Sequence, residues 1–260
     1  MAKFDPLTSS VNTPLPAIAR FAPISLAEMD GVKLQDRNDT KYVFGQEQLA
    51  AVLERMLDEY RILEVGGVRG TAYRSLYLDT PDLRHYRDHH NSRTLRSKVR
   101  FREYVGSGLV YLEVKRKTGR GRTDKVRMLV KSIPDTLSPE QASFVASANG
   151  GQEVLVPSLW NHFTRYTFVH KRLPERLTMD LDLRFSGPDG ESPLGGIVVA
   201  ELKQERIDRR STFARIMRDM GIRPAGMSKY CVGMLMLHRP VKHNAFKPVL
   251  RMLERIRQAA

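Results

Sequence analysis

The sequence predicts an α+β protein built on a closed, eight-stranded antiparallel β-tunnel, a barrel with a charged interior and helices packed on its outside. Three observations support this prediction. Segments in which polar and apolar residues alternate are separated by segments with helical spacing. Glycine-containing turns join three consecutive alternating segments, which is typical of an antiparallel meander. The polar faces of those segments carry mostly positive charge, which favours a face turned inward.

The first half of the chain contains the predicted meander. Ahead of it, Arg37, Asp39 and Lys41 share one face of a strand. Apolar residues at helical spacing predict a helix from Gln46 to Tyr60, and a further strand covers Tyr73 to Asp79. The meander strands cover 96–102, 111–117 and 123–128, with turns at 106–108 and 119–121.

The second half adds capped helices and three more strands. Ser138 with Pro139 predicts the start of a helix that ends at Gly150. Ser211 predicts the cap of a helix that ends before Gly221. The remaining elements are strands over 165–169, 176–185 and 197–203 and a basic amphipathic helix over 245–258.

Charge on the meander is strongly one-sided. Between Ser92 and Lys131 there are thirteen Lys or Arg residues and three Asp or Glu residues. Like charges directly across a strand pair are destabilising, so a solvated sheet is expected to mix the two signs. A solvated outer face remains the alternative for any single strand. The one-sided bias predicts that these faces meet a bound anion, and that removing one charge, as in Arg100→Ala, leaves the empty protein no less stable.

Composition also favours an anionic partner. The chain of 260 residues has a formal net charge of +14 and a pI of about 10.1. Cys231 is the single cysteine, so no internal disulfide can form. The sequence has no apolar run of spanning length and no signal-peptide pattern at its start, which predicts a cytoplasmic protein.

The chain divides into three predicted parts. Residues 1–19 are rich in Ser, Thr and Pro and are predicted to be a flexible arm. Residues 20–240 hold the tunnel, and residues 241–260 hold the basic C-terminal helix, a candidate for peripheral contact with a membrane or a partner protein.

Eight short motifs occur in a fixed order along the chain. They are R-N-D-T-K-Y at 37–42, S-L-Y-L-D-T at 75–80, S-K-V-R-F-R at 97–102, Y-L-E-V-K-R-K at 111–117, K-V-R at 125–127, R-L-T-M-D at 176–180, A-E-L-K at 200–203 and M-S-K-Y at 227–230. In this order the chain resembles the triphosphate tunnel metalloenzymes, and more narrowly the VTC-type polyphosphate polymerase domain. The wider class opens with E-x-E-x-K, and here that strand reads Arg37-x-Asp39-x-Lys41. This departure agrees with the VTC-like branch.

The resemblance implies a set of phosphate-binding cations inside the tunnel. Arg100 and Lys229 are the implied catalytic residues, with Arg100 and Lys98 holding the transferring group. Glu201 is the implied ligand of Mn²⁺ or Mg²⁺, and Glu113 is a weaker candidate. The predicted substrate-binding residues are Lys41, Lys98, Arg100, Lys115, Lys117, Lys125, Arg127, Arg165, Arg176, Lys203 and Lys229.

The resemblance also implies an activity. The expected enzyme is a phosphotransferase that passes the γ-phosphate of ATP to a growing inorganic polyphosphate chain. Two alternatives remain open: a hydrolase of triphosphate, and a non-catalytic module that binds polyphosphate or inositol phosphates. Nucleic-acid binding is not expected, because exposed aromatic residues are not interleaved with the basic ones.

Two groups outside the motifs have simpler interpretations. Asp180 and Asp182 are interpreted as ion-pair partners rather than metal ligands. His85, His89 and His90 look like a metal cluster, but no cysteine lies near, and a solvated helix or loop is the favoured interpretation.

Overall fold

The structure is a computed structural model that describes residues 16–30, 38–119, 123–208, 210–237 and 242–259. Its centre is one sheet, to which every strand of the described residues belongs. The strands are β1 (Ala22–Ile24), β2 (Asn38–Gly45), β3 (Tyr60–Leu63), β4 (Gly70–Asp79), β5 (Leu95–Tyr104), β6 (Leu109–Thr118), β7 (Thr123–Val130), β8 (Val156–His170), β9 (Glu175–Gly187), β10 (Gly190–Leu194) and β11 (Ile197–Gln204).

The described residues form eight α-helices, which precede, connect or follow the strands, and none is both long and apolar enough to cross a membrane. Short 3₁₀ turns precede α3 and α8. The helices are α1 (Pro16–Arg20), α2 (Leu26–Asp30), α3 (Leu49–Glu54), α4 (Arg84–His90), α5 (Pro139–Asn149), α6 (Thr212–Asp219), α7 (Lys229–Leu237) and α8 (Lys247–Gln258).

The sheet follows one antiparallel path of eight strands, in the order β2-β11-β9-β8-β4-β5-β6-β7. The other three strands extend it at the side: β10 pairs with β9, β3 pairs with β8, and β1 pairs in parallel with β3. The prediction of an α+β protein with a large antiparallel sheet is therefore confirmed. Closure of the barrel is not confirmed, because β2 and β7 are the two ends of the path and no pairing joins them within the described residues.

One apolar face of the sheet packs against helices on the outside. Val198, Ala200 and Leu202 alternate along β11 and belong to the same buried cluster as Phe213 and Met217 of α6. A second outer cluster joins the apolar residues of β4, β5 and β6 to α5. The predicted outward direction of these apolar faces follows from the two-residue period of the strands.

Helix α7 packs against β8, β9 and β10, and five of its nine residues are buried. A Cβ at Gly233 would lie 2.6 Å from the ring of Phe185, so a glycine is needed for this close approach. The packing fixes the first residue of the helix, Lys229, beside β8 and β9.

The predicted helix caps are confirmed. Ser138 accepts a hydrogen bond from the Gln141 amide and begins α5, and Ser211 accepts one from the Ala214 amide and begins α6. Gly150 ends α5 in the left-handed conformation that glycine tolerates best.

Two predicted elements differ from the structure. The first predicted helix is shorter: α3 ends at Glu54, and Tyr60 already begins β3, where it pairs with His170 of β8. Met56 stays in the same core from a turn, so its apolar spacing does not distinguish the turn from a helix. Strands 165–169 and 73–79 were located correctly, but β8 and β4 are longer.

Strand β9 covers the strand predicted over 176–185, where Leu177, Met179, Leu181, Leu183 and Phe185 alternate with polar residues, but these apolar residues do not share one face throughout. Asp182 has a φ of 54°, and the pairing of β9 with β8 shifts register at this point. The extra residue reverses the alternation, so Leu181 joins the outer core, whereas Leu183 and Phe185 pack in the cluster that contains α7.

The described residues near both ends of the chain form helices. Residues 1–15 of the predicted arm and Arg37 lie outside the described residues. Pro16–Arg20, which overlaps the end of that arm, forms α1 with Ala17 and Ile18 buried. The C-terminal helix is α8, and its Leu253 is buried in the cluster that holds α7.

Candidate functional site

A cavity of about 800 Å³ lies on the concave side of the sheet. Lys41 of β2 and Lys125 of β7 both line it, so the two ends of the strand path curve round one space, although no pairing joins them in the part of the chain that the structure describes. Among the described residues, the cations lining the cavity are Lys41, Arg96, Lys98, Arg100, Arg102, Lys115, Lys117, Lys125, Arg165, Lys203 and Lys229, and the carboxylates are Asp39, Glu113, Asp180 and Glu201.

The register of the meander explains why its cations converge. Lys98 of β5 lies opposite Lys115 of β6, which lies opposite Lys125 of β7. Side chains two residues apart on a strand share a face, so Arg100 and Glu113 follow on the same face one step along. Three lysines therefore form a row across three strands.

Among the described residues, Glu113 is the one carboxylate that the meander strands contribute to the cavity. Its side chain accepts hydrogen bonds from Arg100 Nε at 2.9 Å and Nη2 at 2.7 Å, and Lys125 Nζ lies 2.5 Å from the other oxygen. Burial alone would raise the pKa of Glu113, but Arg100, Arg102 and Lys125 hold that pKa well below its usual range. The carboxylate is therefore ionised and already neutralised.

Asp180 of β9 is bound from two elements. Arg165 of β8 forms a bidentate pair with it, with distances of 2.6 and 2.7 Å, and Lys229 Nζ at the start of α7 lies 2.5 Å away. Burial opposes ionisation, yet Arg165 and Lys229 keep the pKa of Asp180 well below its usual range. The interpretation of Asp180 as an ion-pair partner is confirmed. Asp182 does not line the cavity, because the register shift turns it away.

Glu201 and Asp39 form a third anionic position, at the pairing of β11 and β2. The ammonium group of Lys203 contacts Glu201 and lies 3.7 Å from Asp39, while Lys41 lies 3.8 Å from Glu201. Burial raises the pKa of Glu201, but Lys203, Lys41 and Arg165 outweigh it and lower that pKa to about 2. Two carboxylates thus share one cation here.

Five cations of the cavity have no carboxylate partner within the described part of the chain: Arg96, Lys98, Arg102, Lys115 and Lys117. Burial lowers the pKa of Lys98 and of Lys115, and the nearby Lys41 lowers both further. Arg102 is only 7% exposed, and burial followed by repulsion from Arg100 lowers its pKa to about 10. Arg102 is buried without a counter-charge, and Lys98 and Lys115 are repelled by the cations beside them, so an anion entering the cavity would remove an unfavourable interaction.

The structure brings nine of the eleven predicted substrate-binding residues to the cavity, together with Glu201 and Glu113. The two exceptions are Arg127 and Arg176. Arg127 lies 4.7 Å above the ring of Tyr111, and Arg176 pairs with Val169 in the β9–β8 register without reaching the lining. Both residues alternate in step with lining residues of their strand or its neighbour, but the cavity does not extend as far as either side chain.

Several lining residues were absent from the predicted site. Arg96 and Arg102 share strand parity with Lys98, so the alternation of the meander could have included them. Tyr77 accepts a hydrogen bond from Arg100 at 3.1 Å. His89 reaches the cavity from α4, and no local pattern in the sequence indicates that approach.

The histidine group is a helix, as predicted, but it is not solvated. His85 and His90 are buried, and burial followed by repulsion from Lys98 and Arg96 lowers the pKa of His89 to about 3. Within the described residues, no three His, Cys, Asp or Glu side chains are arranged to hold a metal ion.

The carboxylates of the cavity fit a divalent metal that is held by one or two of them and completes its coordination with substrate phosphates. Mg²⁺ and Mn²⁺ are commonly held by one or two carboxylates together with substrate phosphates rather than by a full protein cage. Glu201 and Asp39 already share the Lys203 ammonium, which shows that a cation is tolerated between them. Glu113 is enclosed by Arg100 and Lys125 and offers less room for a metal.

These features define a class: an α+β protein whose curved antiparallel sheet encloses a strongly cationic cavity with few carboxylates. The model of the VTC domain family matches residues 36–238. The chain belongs to the VTC domain family, as the order of its motifs indicated.

Solved structures show more distant similarity. A candidate adenylate cyclase of Bacillus halodurans matches with a TM-score of 0.49 and 12% identity, over 74% of this chain and 94% of that one. A candidate adenylyl cyclase of Hippeastrum, described as having a dominant triphosphatase activity, matches with a TM-score of 0.48 and 14% identity, over 79% and 99%. A candidate adenylate cyclase of Vibrio parahaemolyticus matches with a TM-score of 0.45 and 12% identity, over 76% and 99%. No curated protein sequence matches the chain.

Proposed function

We propose that this protein transfers the γ-phosphate of ATP to a growing chain of inorganic polyphosphate, with Mn²⁺ or Mg²⁺ as cofactor. The observation that carries the proposal is the set of cavity-lining cations that have no carboxylate partner among the described residues: Arg96, Lys98, Arg102, Lys115 and Lys117. Membership of the VTC domain family supports the same substrate class. A polyanion lying along the cavity supplies the missing counter-charge.

The reaction is an in-line displacement at phosphorus. An oxygen of the terminal phosphate of the chain forms a bond to the γ-phosphorus, the bond from that phosphorus to the β–γ bridging oxygen breaks, and ADP leaves with the electron pair. Positioning and charge neutralisation supply most of the catalysis in phosphoryl transfer. Arg100 presents a planar guanidinium, already fixed by Glu113 and Tyr77, and can hold two phosphate oxygens at once.

Lys98 and Lys229 complete the proposed catalytic group. Lys98 faces the transferring phosphate as a point charge from the same strand as Arg100. Lys229 is held by Asp180 at 2.5 Å, which fixes its position before the substrate arrives. Glu201, with Asp39 beside it, would hold the metal, which when bound neutralises charge on the phosphate oxygens.

The test is a polymerisation assay with the purified full chain, ATP and Mn²⁺. Polymer resolved by gel, with one ADP released per phosphate incorporated, supports the proposal. Release of phosphate without polymer identifies a hydrolase, and ATP binding without turnover identifies a binding module; either result contradicts the proposal. Lys98→Met is expected to abolish polymer formation, and Lys131→Met, at an exposed lysine just beyond the meander, serves as the matched control.

A further inference from the structure

The concave face changes its chemistry along its length. The middle of the face is cationic, but beyond Arg102 the residues of the same parity are aromatic. Tyr104 of β5 lies opposite Tyr73 of β4, and Tyr73 lies opposite Phe163 of β8. Tyr111 of β6 lies opposite Arg102. These four rings, Tyr73, Tyr104, Tyr111 and Phe163, form an aromatic vestibule at this end of the face.

Each ring of the vestibule contacts the next, in the order Phe163, Tyr73, Tyr104 and Tyr111. Tyr73 and Phe163 are nearly parallel, with centroids 5.1 Å apart and an interplanar angle of 2°. Tyr104 lies 4.9 Å from Tyr73 and 6.0 Å from Tyr111. Tyr104 and Tyr111 are only half-buried, and Leu129, opposite Tyr111, is 61% exposed. The outer part of the vestibule is therefore open to a ligand.

Arg102 joins the vestibule to the cationic cavity. Its guanidinium lies 5.3 Å from the centre of the Tyr73 ring and 5.8 Å from that of Phe163, while the same side chain lines the cavity. It is 7% exposed and has no carboxylate partner among the described residues. A buried guanidinium in this state favours an anion within contact distance, at the point where aromatic residues begin.

We propose that the aromatic vestibule stacks the nucleobase of a nucleoside triphosphate whose phosphates lie on Arg102 and on the cations beyond it. This inference rests on the proposed function and identifies which end of the cavity receives the donor. A nucleotide presents the same order of chemistry: a polyanion, then a ribose, then a planar π-system. From Arg100 to Tyr104 the strand advances about 13 Å at 3.3 Å per residue, a length that the phosphates and ribose of an extended nucleotide can span.

Stacking on tyrosine tolerates every base, because each base has a π-face. The vestibule therefore predicts a preference for nucleoside triphosphates over inorganic triphosphate without strong selection among the bases. Arg127, above the ring of Tyr111, adds a positive charge close to the base and the ribose.

The experiment compares two ligands in three proteins. The dissociation constants of ATP and of inorganic triphosphate are measured by calorimetry, with the same metal, for the full chain, for the double variant Tyr104→Leu with Tyr111→Leu, and for Tyr104→Phe with Tyr111→Phe. Leucine keeps apolar bulk and removes the π-face, and phenylalanine keeps the π-face. Thermal melting of each protein verifies that it is folded.

The expected result is selective. The leucine variant should bind ATP about 5- to 150-fold more weakly, the range that corresponds to loss of base stacking, and should bind triphosphate within about twofold of the original chain. The phenylalanine variant should bind both ligands normally. Unchanged ATP binding by the leucine variant, or an equal loss for both ligands, overturns the inference while leaving the phosphate site intact. Absence of triphosphate binding by the original chain instead overturns the proposed function, and this inference with it.

Discussion

The two walls of the cavity differ in whether their cations have carboxylate partners. The meander wall, formed by β5, β6 and β7, carries Lys98 and Lys115 without carboxylate partners among the described residues. The opposing wall, formed by β2, β9 and β11 with the start of α7, holds every one of its lining cations in an ion pair, as Lys229 with Asp180 shows. The opposing wall is therefore fixed before a ligand binds, whereas the meander wall keeps a repulsion that only an anion relieves.

The contrast assigns different tasks to similar residues. Paired cations hold a geometry, because each is restrained by a carboxylate from a second element, as Asp180 restrains Arg165 and Lys229. Unpaired cations supply the driving force for binding a polyanion, because their charge is uncompensated in the empty protein. Removing a charge from the opposing wall should therefore lower stability, whereas removing an unpaired cation from the meander wall should weaken binding of the anion without lowering stability.

The largest effect is expected from Asp180→Asn. The change leaves Arg165 and Lys229 buried without their counter-charge, so the free energy of unfolding should fall by about 3–5 kcal/mol. Chemical denaturation measures this loss. Asp182→Asn is the matched control on the same strand; it lies outside the cavity and asparagine tolerates its left-handed conformation, so it should lower stability much less than Asp180→Asn does. Equal losses in both variants would contradict the special role of Asp180.

Glu201→Gln should keep the fold and lose metal-dependent turnover. Removing the proposed metal ligand should lower kcat/KM for ATP at least about 100-fold, which corresponds to ~2.7 kcal/mol in the activation barrier. Lys203 retains Asp39 as a partner, so folding should survive. Steady-state kinetics across a range of Mn²⁺ concentrations provide the measurement, with Glu191→Gln on the exposed strand β10 as control. Full activity of Glu201→Gln would remove this residue from the metal site.

Acid should destabilise the opposing wall through the same carboxylate. The pKa of Glu201 is lowered from 4.5 to about 2, mainly by Lys203 and Lys41 acting against burial. Since the folded protein binds this proton less tightly than the unfolded chain, its contribution is present above pH 4.5 and is lost as pH falls toward about 2. The contribution should be no more than about 2 kcal/mol, because the side chain is partly exposed. Unfolding at pH 6 and pH 3 should show a smaller loss in Glu201→Gln than in the original chain.

On the meander wall, Lys98→Met should show the opposite pattern. The pKa of Lys98 is lowered by burial and by its lysine neighbours, so the charged form costs stability at neutral pH. The empty variant should be as stable as the original chain or more stable by up to about 1 kcal/mol. Triphosphate should protect it less, by about 1.4 kcal/mol for each tenfold loss in affinity. Melting curves with and without triphosphate measure both effects, and an unchanged protective shift would place Lys98 outside the binding site.

The structure also explains why Arg100 is the wrong residue for that experiment. Strand parity placed Arg100 correctly in the cavity, but the expectation that its removal relieves repulsion took no account of Glu113, which it binds at 2.7 and 2.9 Å. Removing Arg100 would leave that buried carboxylate with Lys125 alone. Alternation along one strand shows on which face of the sheet a side chain lies. It does not show which residue lies opposite on the neighbouring strand, because that depends on the register between the two strands.

Much of the fold followed from short-range signals. A strand was predicted at each of the eight positions of the main path, mostly from alternation and at 165–169 from a short apolar-rich segment, and Ser138 and Ser211 indicated two helix starts. The short strands β1, β3 and β10 were missed because three to five residues carry too little alternation. The register shift at Asp182 and the approach of His89 from α4 arise from packing between distant segments, which no local pattern records.

The smallest effects on binding and stability are expected from two cations of β7 that lie on the same strand face near the end of the cavity. Lys125 and Arg127 stand two residues apart on β7, and the sequence predicted both as phosphate ligands. Lys125 lines the cavity and contacts Glu113, while Arg127 lies outside the lining above the Tyr111 ring. Lys125→Gln should weaken triphosphate binding about fivefold or more, because it removes a charge from the site and part of the restraint on Glu113.

Arg127→Gln should leave triphosphate binding within about twofold, since inorganic triphosphate does not reach the aromatic end of the face. Its stability should fall by no more than about 0.5–1 kcal/mol, the size of a cation–π contact at a partly exposed site. Calorimetric titration of Lys125→Gln and Arg127→Gln with triphosphate, at one salt concentration, measures the dissociation constant of each variant and tests both expectations. If Arg127→Gln weakens triphosphate binding as much as Lys125→Gln does, then phosphate extends past Glu113 to the end of β7, and the boundary between the cationic cavity and the aromatic vestibule lies further along the face than the empty structure indicates.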